Sequence, residues 1–305
     1  MAALTFRIAL TGPPASDSED FLSDSLGVIF PGDVTIQHGD AGHGLLYTSP
    51  HLPKPLPIKL SEPQRDEDRK LFSHYLWNSS LLLAELIEAG TLKLPPQGTE
   101  EFDVSGLSTV ELGAGTALPS IMSALLGARR VVATDYPAPA IMEVLRENVR
   151  ECTKPSYSPL GEGGGGIHVV GHEWGVFPAD IAEERNAFDR VFVCDCLWMR
   201  WQHENLRKSV DYFLKRGTEA RAWVIAGFHT GRESMRGFFE KEELAADGLE
   251  IERIWERDCN GNDREWVWDR GIEDITIRKS WLVVAILKRI SPVSGQEGGE
   301  TTDDR

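Results

Sequence analysis

Between residues 109 and 287, short apolar runs alternate with stretches whose apolar residues recur every three or four positions. The runs Thr109–Leu112, Val131–Thr134, Ile167–Val170, Arg190–Cys194, Ala222–Ala226, Leu249–Trp255 and Trp281–Leu287 predict strands. Helical segments fall between most of them: Ile141, Leu145 and Val149 share one face, as do Leu206, Val210 and Phe213. This alternation implies right-handed crossovers, and hence an α/β fold with a seven-stranded, mostly parallel sheet and helices on both faces. The stretch between Trp255 and Trp281 carries turn residues and aromatics but no crossover-helix pattern, which predicts an antiparallel last strand.

The ends read differently. Residues 1–62, with "TGPPASDSED" and "SPHLPKPLPIKL", predict an N-terminal extension with a small hairpin near Gly44-Leu45-Leu46-Tyr47. Residues 63–290 predict the main domain. Residues 291–305 hold almost no apolar side chains and predict a disordered tail. "GEGGGG", residues 161–166, lacks the Lys-Ser/Thr of a phosphate loop and predicts a flexible surface insertion.

Composition narrows the function classes. The chain is 41% hydrophobic and 26% charged, which places it among folded globular proteins. A net charge of −16 argues against a nucleic-acid partner and favours a cationic one, although the same charge also serves solubility. No apolar run is long enough for a bilayer, and no secretory signal opens the chain, so a soluble cytoplasmic protein with no membrane partner is expected. Cys152, Cys194, Cys196 and Cys259 lack paired metal-ligand spacing; reduced thiols and no metal are expected.

Chemistry concentrates in "VELGAGTALPSIMSALLGARRVVATDYP", residues 110–137. Gly113 and Gly115 follow the first core strand, where a missing side chain lets a ligand approach the backbone. Asp135 ends the next strand, twenty residues after Gly115, at the spacing of a carboxylate that accepts hydrogen bonds from ribose hydroxyls. Ala117 replaces the third glycine of a dinucleotide turn, and Glu111 would be awkward beside a pyrophosphate. Both features suit S-adenosylmethionine, which brings an ammonium and no phosphate.

Four ordered blocks, "HYLWNSSLLLAELI", the glycine-turn stretch, "HEWG" and "VCDCLWMRWQHENLRKS", resemble the seven-strand, Rossmann-like methyltransferase family that contains lysine methyltransferases. The resemblance spans roughly residues 66–289. It is nearest to a fungal branch labelled nicotinamide N-methyltransferase-like, which includes an elongation-factor methyltransferase acting on a protein N-terminus and a nearby lysine. It implies S-adenosylmethionine bordered by Trp77 at its methionine end, with Gly113, Ala114 and Gly115 as the turn. Asp135 would hold the ribose, Tyr136 and Trp174 would flank adenine, and Cys194 would fill the small-residue position before the strand-four acid. Ala117 and Cys194 depart from the family's usual glycine and alanine.

The reaction sets a further requirement. A lysine amine with a pKa near 10.4 must lose its proton, uphill by roughly 4.6 kcal/mol at pH 7. Asp195 is expected to capture and orient the cationic amine, and Trp198 to wall its alkyl stem. Phe228 and His229 follow strand five and are expected to face substrate. His203 reads as a first-turn helix residue, and Arg232 as facing solvent or an acidic neighbour. The leading expectation is N-methylation of a protein amine, with a translation factor among the partners the resemblance suggests. Two alternatives stay open: N-methylation of a small molecule such as nicotinamide or a specialised metabolite, and a non-catalytic donor-binding module.

Overall fold

The computed structural model describes residues 4–11, 35–39, 43–61, 75–95, 98–161 and 165–290. The expected tail, residues 1–3, 12–34, 40–42 and 62 of the first extension and the centre of the glycine run at 162–164 lie outside the described residues.

Among the described residues, five short strands precede the central sheet: β1 (Ile8–Thr11), β2 (Gln37–His38), β3 (Gly44–Tyr47), β4 (Leu56–Ile58) and β5 (Leu76–Trp77). β3 pairs antiparallel with both β1 and β4, and β2 pairs antiparallel with β5. The inward side chains of the small sheet, Leu45, Tyr47, Leu56 and Ile58, belong to the same hydrophobic cluster as the first long helix.

The central sheet contains β6 (Ser108–Leu112), β7 (Arg130–Asp135), β8 (Ile167–Gly171), β9 (Arg190–Cys194), β10 (Arg221–Gly227), β11 (Leu249–Asp258), β12 (Asp263–Glu265) and β13 (Trp281–Arg289). Their order is β12-β11-β13-β10-β9-β6-β7-β8. β6 to β10 pair in parallel, and β13 inserts antiparallel between β10 and β11. All seven expected strands are present, with β12 as an eighth that the sequence pattern did not reveal. Its three residues, Asp-Arg-Glu, carry no apolar alternation. It forms because Asn260-Gly261-Asn262 closes a hairpin, with Asp258 Oδ1 accepting the Asn260 and Asn262 amides.

Among the described residues, seven α-helices pack on this frame: α1 (Asn78–Thr91), α2 (Leu118–Leu125), α3 (Pro139–Cys152), α4 (His203–Phe213), α5 (Arg232–Arg236), α6 (Lys241–Ala246) and α7 (Ile275–Lys279). Alternate strand residues face opposite layers, as a period of two requires. Phe192, Trp223, Ile225 and Val284 join the cluster with α1, α2 and α3; Val191, Val193, Val224 and Val283 join the one with α4 and Leu244 of α6. The strand order reverses beside β6, between β7 and β9. At such a switch point the crossovers leave on opposite faces and a crevice opens outside the carboxyl ends of the strands.

Candidate active site

The loop after β6 is built from backbone that most side chains avoid. Gly113, Gly115 and Ala117 have φ of 67°, 53° and 61°. For Ala117 this left-handed conformation strains a residue with a Cβ, and the methyl is fully buried as the N-cap of α2. Glycine is required at Gly113 for a second reason: an added Cβ would sit 3.0 Å from Cys196 Sγ and 3.1 Å from Trp174 Cζ2. Gly113→Ala is therefore expected to displace the Trp174 indole. A loss of roughly 1–2 kcal/mol in stability together with weaker donor binding, measured by denaturant unfolding and calorimetry, checks this.

The turn is fastened to β7. Gly115 N donates to Asp135 Oδ2 at 2.7 Å, and Tyr136 N donates to Asp135 Oδ1 at 2.7 Å. Burial pushes the Asp135 carboxyl up to about 6, with the two amide bonds opposing that shift. Trp77 is fixed from the other side: it pairs with Gln37 across the β2–β5 ladder, while the next residue, Asn78, bonds His38 and the Thr35 carbonyl.

Asp195 follows β9 with φ of 54°, a left-handed conformation that aspartate tolerates better than most residues. Its Oδ2 accepts from Ser79 Oγ at 2.8 Å, and its Oδ1 lies 3.4 Å from Gly227 N and 3.5 Å from His229 Nε2. Burial raises its pKa, and His229, Ser79 and Gly227 oppose the shift.

Trp77, Gly113, Ala114, Gly115, Asp135, Tyr136, Trp174, Cys194, Asp195 and Trp198 all line one cleft at the carboxyl edge of the sheet, with about 910 Å³ of space including its open mouth. Three expected residues do not line it. Glu111 is fully buried behind the turn, where Oε2 accepts from Ser120 Oγ at 2.5 Å and Ser120 N at 3.1 Å in the first turn of α2. Burial pushes its pKa up to about 8, so it carries a proton at neutral pH and serves the helix start rather than a ligand's ammonium. Phe228 is also fully buried, with the Arg232 guanidinium between its ring and that of Trp266. His229 sits one layer behind the cleft wall, stacked on Trp77 at 4.9 Å and against Asp195.

Several lining residues escaped the sequence reading, among them Tyr75, Ser80, Thr116, Cys196, Met199 and Gln202. Ser79, which holds Asp195, left one signal: a Ser-Ser pair opening an otherwise leucine-rich helix. His203 is indeed a first-turn residue of α4, with Nε2 at 2.8 Å from the Leu197 carbonyl. Arg232 faces acidic neighbours, Glu256 at 2.7 Å and Glu273 at 3.6 Å.

The electrostatics of the cleft are one-sided. Asp135, Glu173 and Asp195 line it, and among the described residues no lysine or arginine does. His172 at its floor is held neutral, since burial pushes its pKa down to about 4. Such a cleft suits cations and hydroxyl donors and disfavours a pyrophosphate.

Residues 62–244 match a protein family described as lysine methyltransferase. Over 196 residues, 61% of this chain and 69% of the relative, the sequence is 31% identical to the protein N-terminal and lysine N-methyltransferase EFM7 of Gibberella zeae. It is 30% identical over 191 residues, 61% of this chain and 68% of the relative, to the protein of that name in Schizosaccharomyces pombe. A third, in Emericella nidulans, is 34% identical over 163 residues, 51% of this chain and 58% of the relative. The matched span contains the strained turn, Asp135, Trp174 and Asp195, and on that match the chain belongs to the lysine methyltransferase family.

Proposed function

We propose that this protein transfers the methyl group of S-adenosylmethionine to an amine nitrogen of a protein, either a lysine side chain or an exposed N-terminus. The observation that carries the proposal is the cleft lined by three carboxylates and, among the described residues, by no lysine or arginine, and walled by Trp77, Trp174 and Trp198. When bound, the donor supplies an electrophilic methyl group on a sulfonium. Asp135 fits its ribose hydroxyls, the bare backbone of Gly113 and Gly115 its close approach, and the Trp174 and Tyr136 rings its adenine. The names of the similar fungal proteins support a protein amine as acceptor. A translation factor is the finer candidate that the resemblance suggests. A cytoplasmic setting agrees with four free thiols and with the lack, among the described residues, of any helix long and apolar enough to cross a membrane.

Asp195 captures the ammonium and aims it into the cleft. A carboxylate alone would raise the amine's pKa, so the proton passes to water at the open mouth of the cleft only because the surroundings oppose it. Burial in a tryptophan-walled recess penalises both charges, as the raised pKa of Asp195 itself records. Holding the nucleophile in line is worth up to roughly 7–11 kcal/mol in favourable systems, so no covalent step through a side chain is needed. Incubation with methyl-labelled donor and the protein fraction of a fungal extract tests the reading. Labelled nicotinamide or other small metabolites, with no labelled protein, would overturn it.

Donor affinity should fall as pH drops below about 6. The ionised Asp135 is the form that accepts ribose hydroxyls, and protons compete for it. If this group dominates, the dissociation constant rises roughly tenfold per pH unit below that value. The folded, ligand-free protein binds this proton more tightly than an unfolded aspartate does. The stability this group contributes is therefore full below the unfolded value of 3.8, is lost as pH rises to about 6, and is constant above that. Calorimetry from pH 5 to 8 on the native protein and Asp135→Asn checks this: the variant should bind weakly with a flattened profile.

A further inference from the structure

We propose that the acceptor protein docks across two exposed apolar banks bordering the Asp195 end of the cleft, Trp201 on one and the segment 268–277 on the other. This rests on the methyl-transfer reading above and extends it from the reacting amine to the surface around it.

The first bank follows β9. Trp198, Met199 and Gln202 line the cleft, while the short turn Arg200–Gln202 directs Trp201 outward, 73% exposed and edge-on to Trp198 at 6.3 Å. The second bank lies between β12 and β13 and rests on the turn after β10. α7 packs on residues 228–230, and His229 of that turn touches both Asp195 and Trp77. From this support Trp268, Ile272, Ile275 and Ile277 stand 46%, 105%, 61% and 61% exposed. The first bank follows β9 and the second rests on the turn after β10, whereas Gly113 and Gly115 follow β6 and Asp135 ends β7. The exposed apolar surface thus borders the half of the sheet edge that receives the amine.

The second bank is held from beneath. Fully buried Glu256 of β11 accepts from Arg232 and Arg264 at 2.7 Å and from Arg270 at 3.3 Å, and Glu273 lies 3.6 Å from Arg232. Asp274 accepts from the amides of Thr276 and Ile277 and caps α7. A segment anchored this way and still presenting three isoleucines and a tryptophan to water has the character of a contact surface. Charge selects the occupant. Asp269 and Asp274 are exposed within the same segment, and the whole chain carries −16, which favours a basic protein and disfavours a second copy of this chain. A small acceptor would occupy the cleft without spanning both banks.

The test uses methyl-labelled donor and two probes: the intact protein fraction of an extract from a Schizosaccharomyces pombe strain lacking its similar protein, and a tryptic digest of that fraction. Trp201→Ala and the pair Ile272→Glu/Ile275→Glu should each slow labelling of intact protein at least about tenfold at low extract concentration. The loss should shrink as extract is concentrated, while labelling of the digest and calorimetric donor affinity match the native enzyme. Undiminished labelling of intact protein overturns the docking surface, as does an equal loss on both probes, which would place the effect on the chemistry. A concentration-dependent dimer abolished by the substitutions assigns the banks to a second copy and overturns it as well. If the native enzyme labels neither probe, the transfer reading fails, a result distinct from labelling that native and variant enzymes share.

Discussion

Replacing Asp195 with asparagine is expected to lower kcat/KM by about a hundredfold to a thousandfold, equivalent to roughly 2.7–4 kcal/mol of transition-state stabilisation. Asparagine keeps the side-chain volume, tolerates the φ of 54° and can still accept from Ser79, so the substitution removes charge with little change of shape. Donor affinity should stay within about threefold, because the ribose carboxylate belongs to a different strand end. Asp195→Ala should do more damage, since it also strands the Ser79 hydroxyl and leaves alanine in a left-handed conformation. A pH–rate profile separates these roles. In the native enzyme the rate should fall toward acid as the raised pKa of Asp195 is crossed. With donor saturating, the contribution of Asp195 to that limb should vanish in the asparagine variant, leaving the fall that protonation of the amine itself produces. An unchanged rate in Asp195→Asn, with the fold intact, would remove Asp195 from the reaction.

The sequence was most readable where structure depends on short-range periodicity. β6, β7, β9, β10 and β13 announce themselves as apolar runs because each is buried on both faces and has no polar side to break the run, whereas β8 and β11 leave residues such as His168 and Arg253 exposed. The cleft was readable where chemistry is tied to strand ends: Asp135 ends β7, Trp174 and Asp195 follow β8 and β9, and these strand ends meet at one edge. What escaped depends on how loops fold back. Glu111 and Ser120 are nine residues apart, yet only the strained turn between them shows that the carboxyl points into α2 and away from the cleft. Phe228 follows β10 as expected, but the direction of its ring is set by Arg232 and Trp266, and Trp266 lies thirty-eight residues further on. Ser79 reaches Asp195 across 116 residues, a pairing without local signature.

The same distance in sequence hides the buried ion cluster, and there the largest loss of stability is expected. Glu256→Ala should cost about 3–5 kcal/mol, the range for removing one partner of a buried pair. Glu256 is fully buried and neutralises Arg232, whose guanidinium lies between Phe228 at 4.3 Å and Trp266 at 4.9 Å, out of reach of bulk water. Without the carboxylate, Arg232 keeps the Val267 carbonyl at 3.0 Å and the more distant Glu273, too little to offset its desolvation. Arg264 is less exposed to the loss, because it stacks on Trp281 at 3.7 Å and is one-quarter open to solvent. A lower urea midpoint with an unchanged slope would register the effect. Glu256→Gln should cost less, since a side-chain oxygen still accepts one guanidinium. The double variant Arg232→Met/Glu256→Leu should recover most of the loss, because apolar groups of similar volume remove the charge together with its need for a partner. If the double variant proved no more stable than Glu256→Ala, burial of charge would not be the cause and the loss would belong to packing around Trp266.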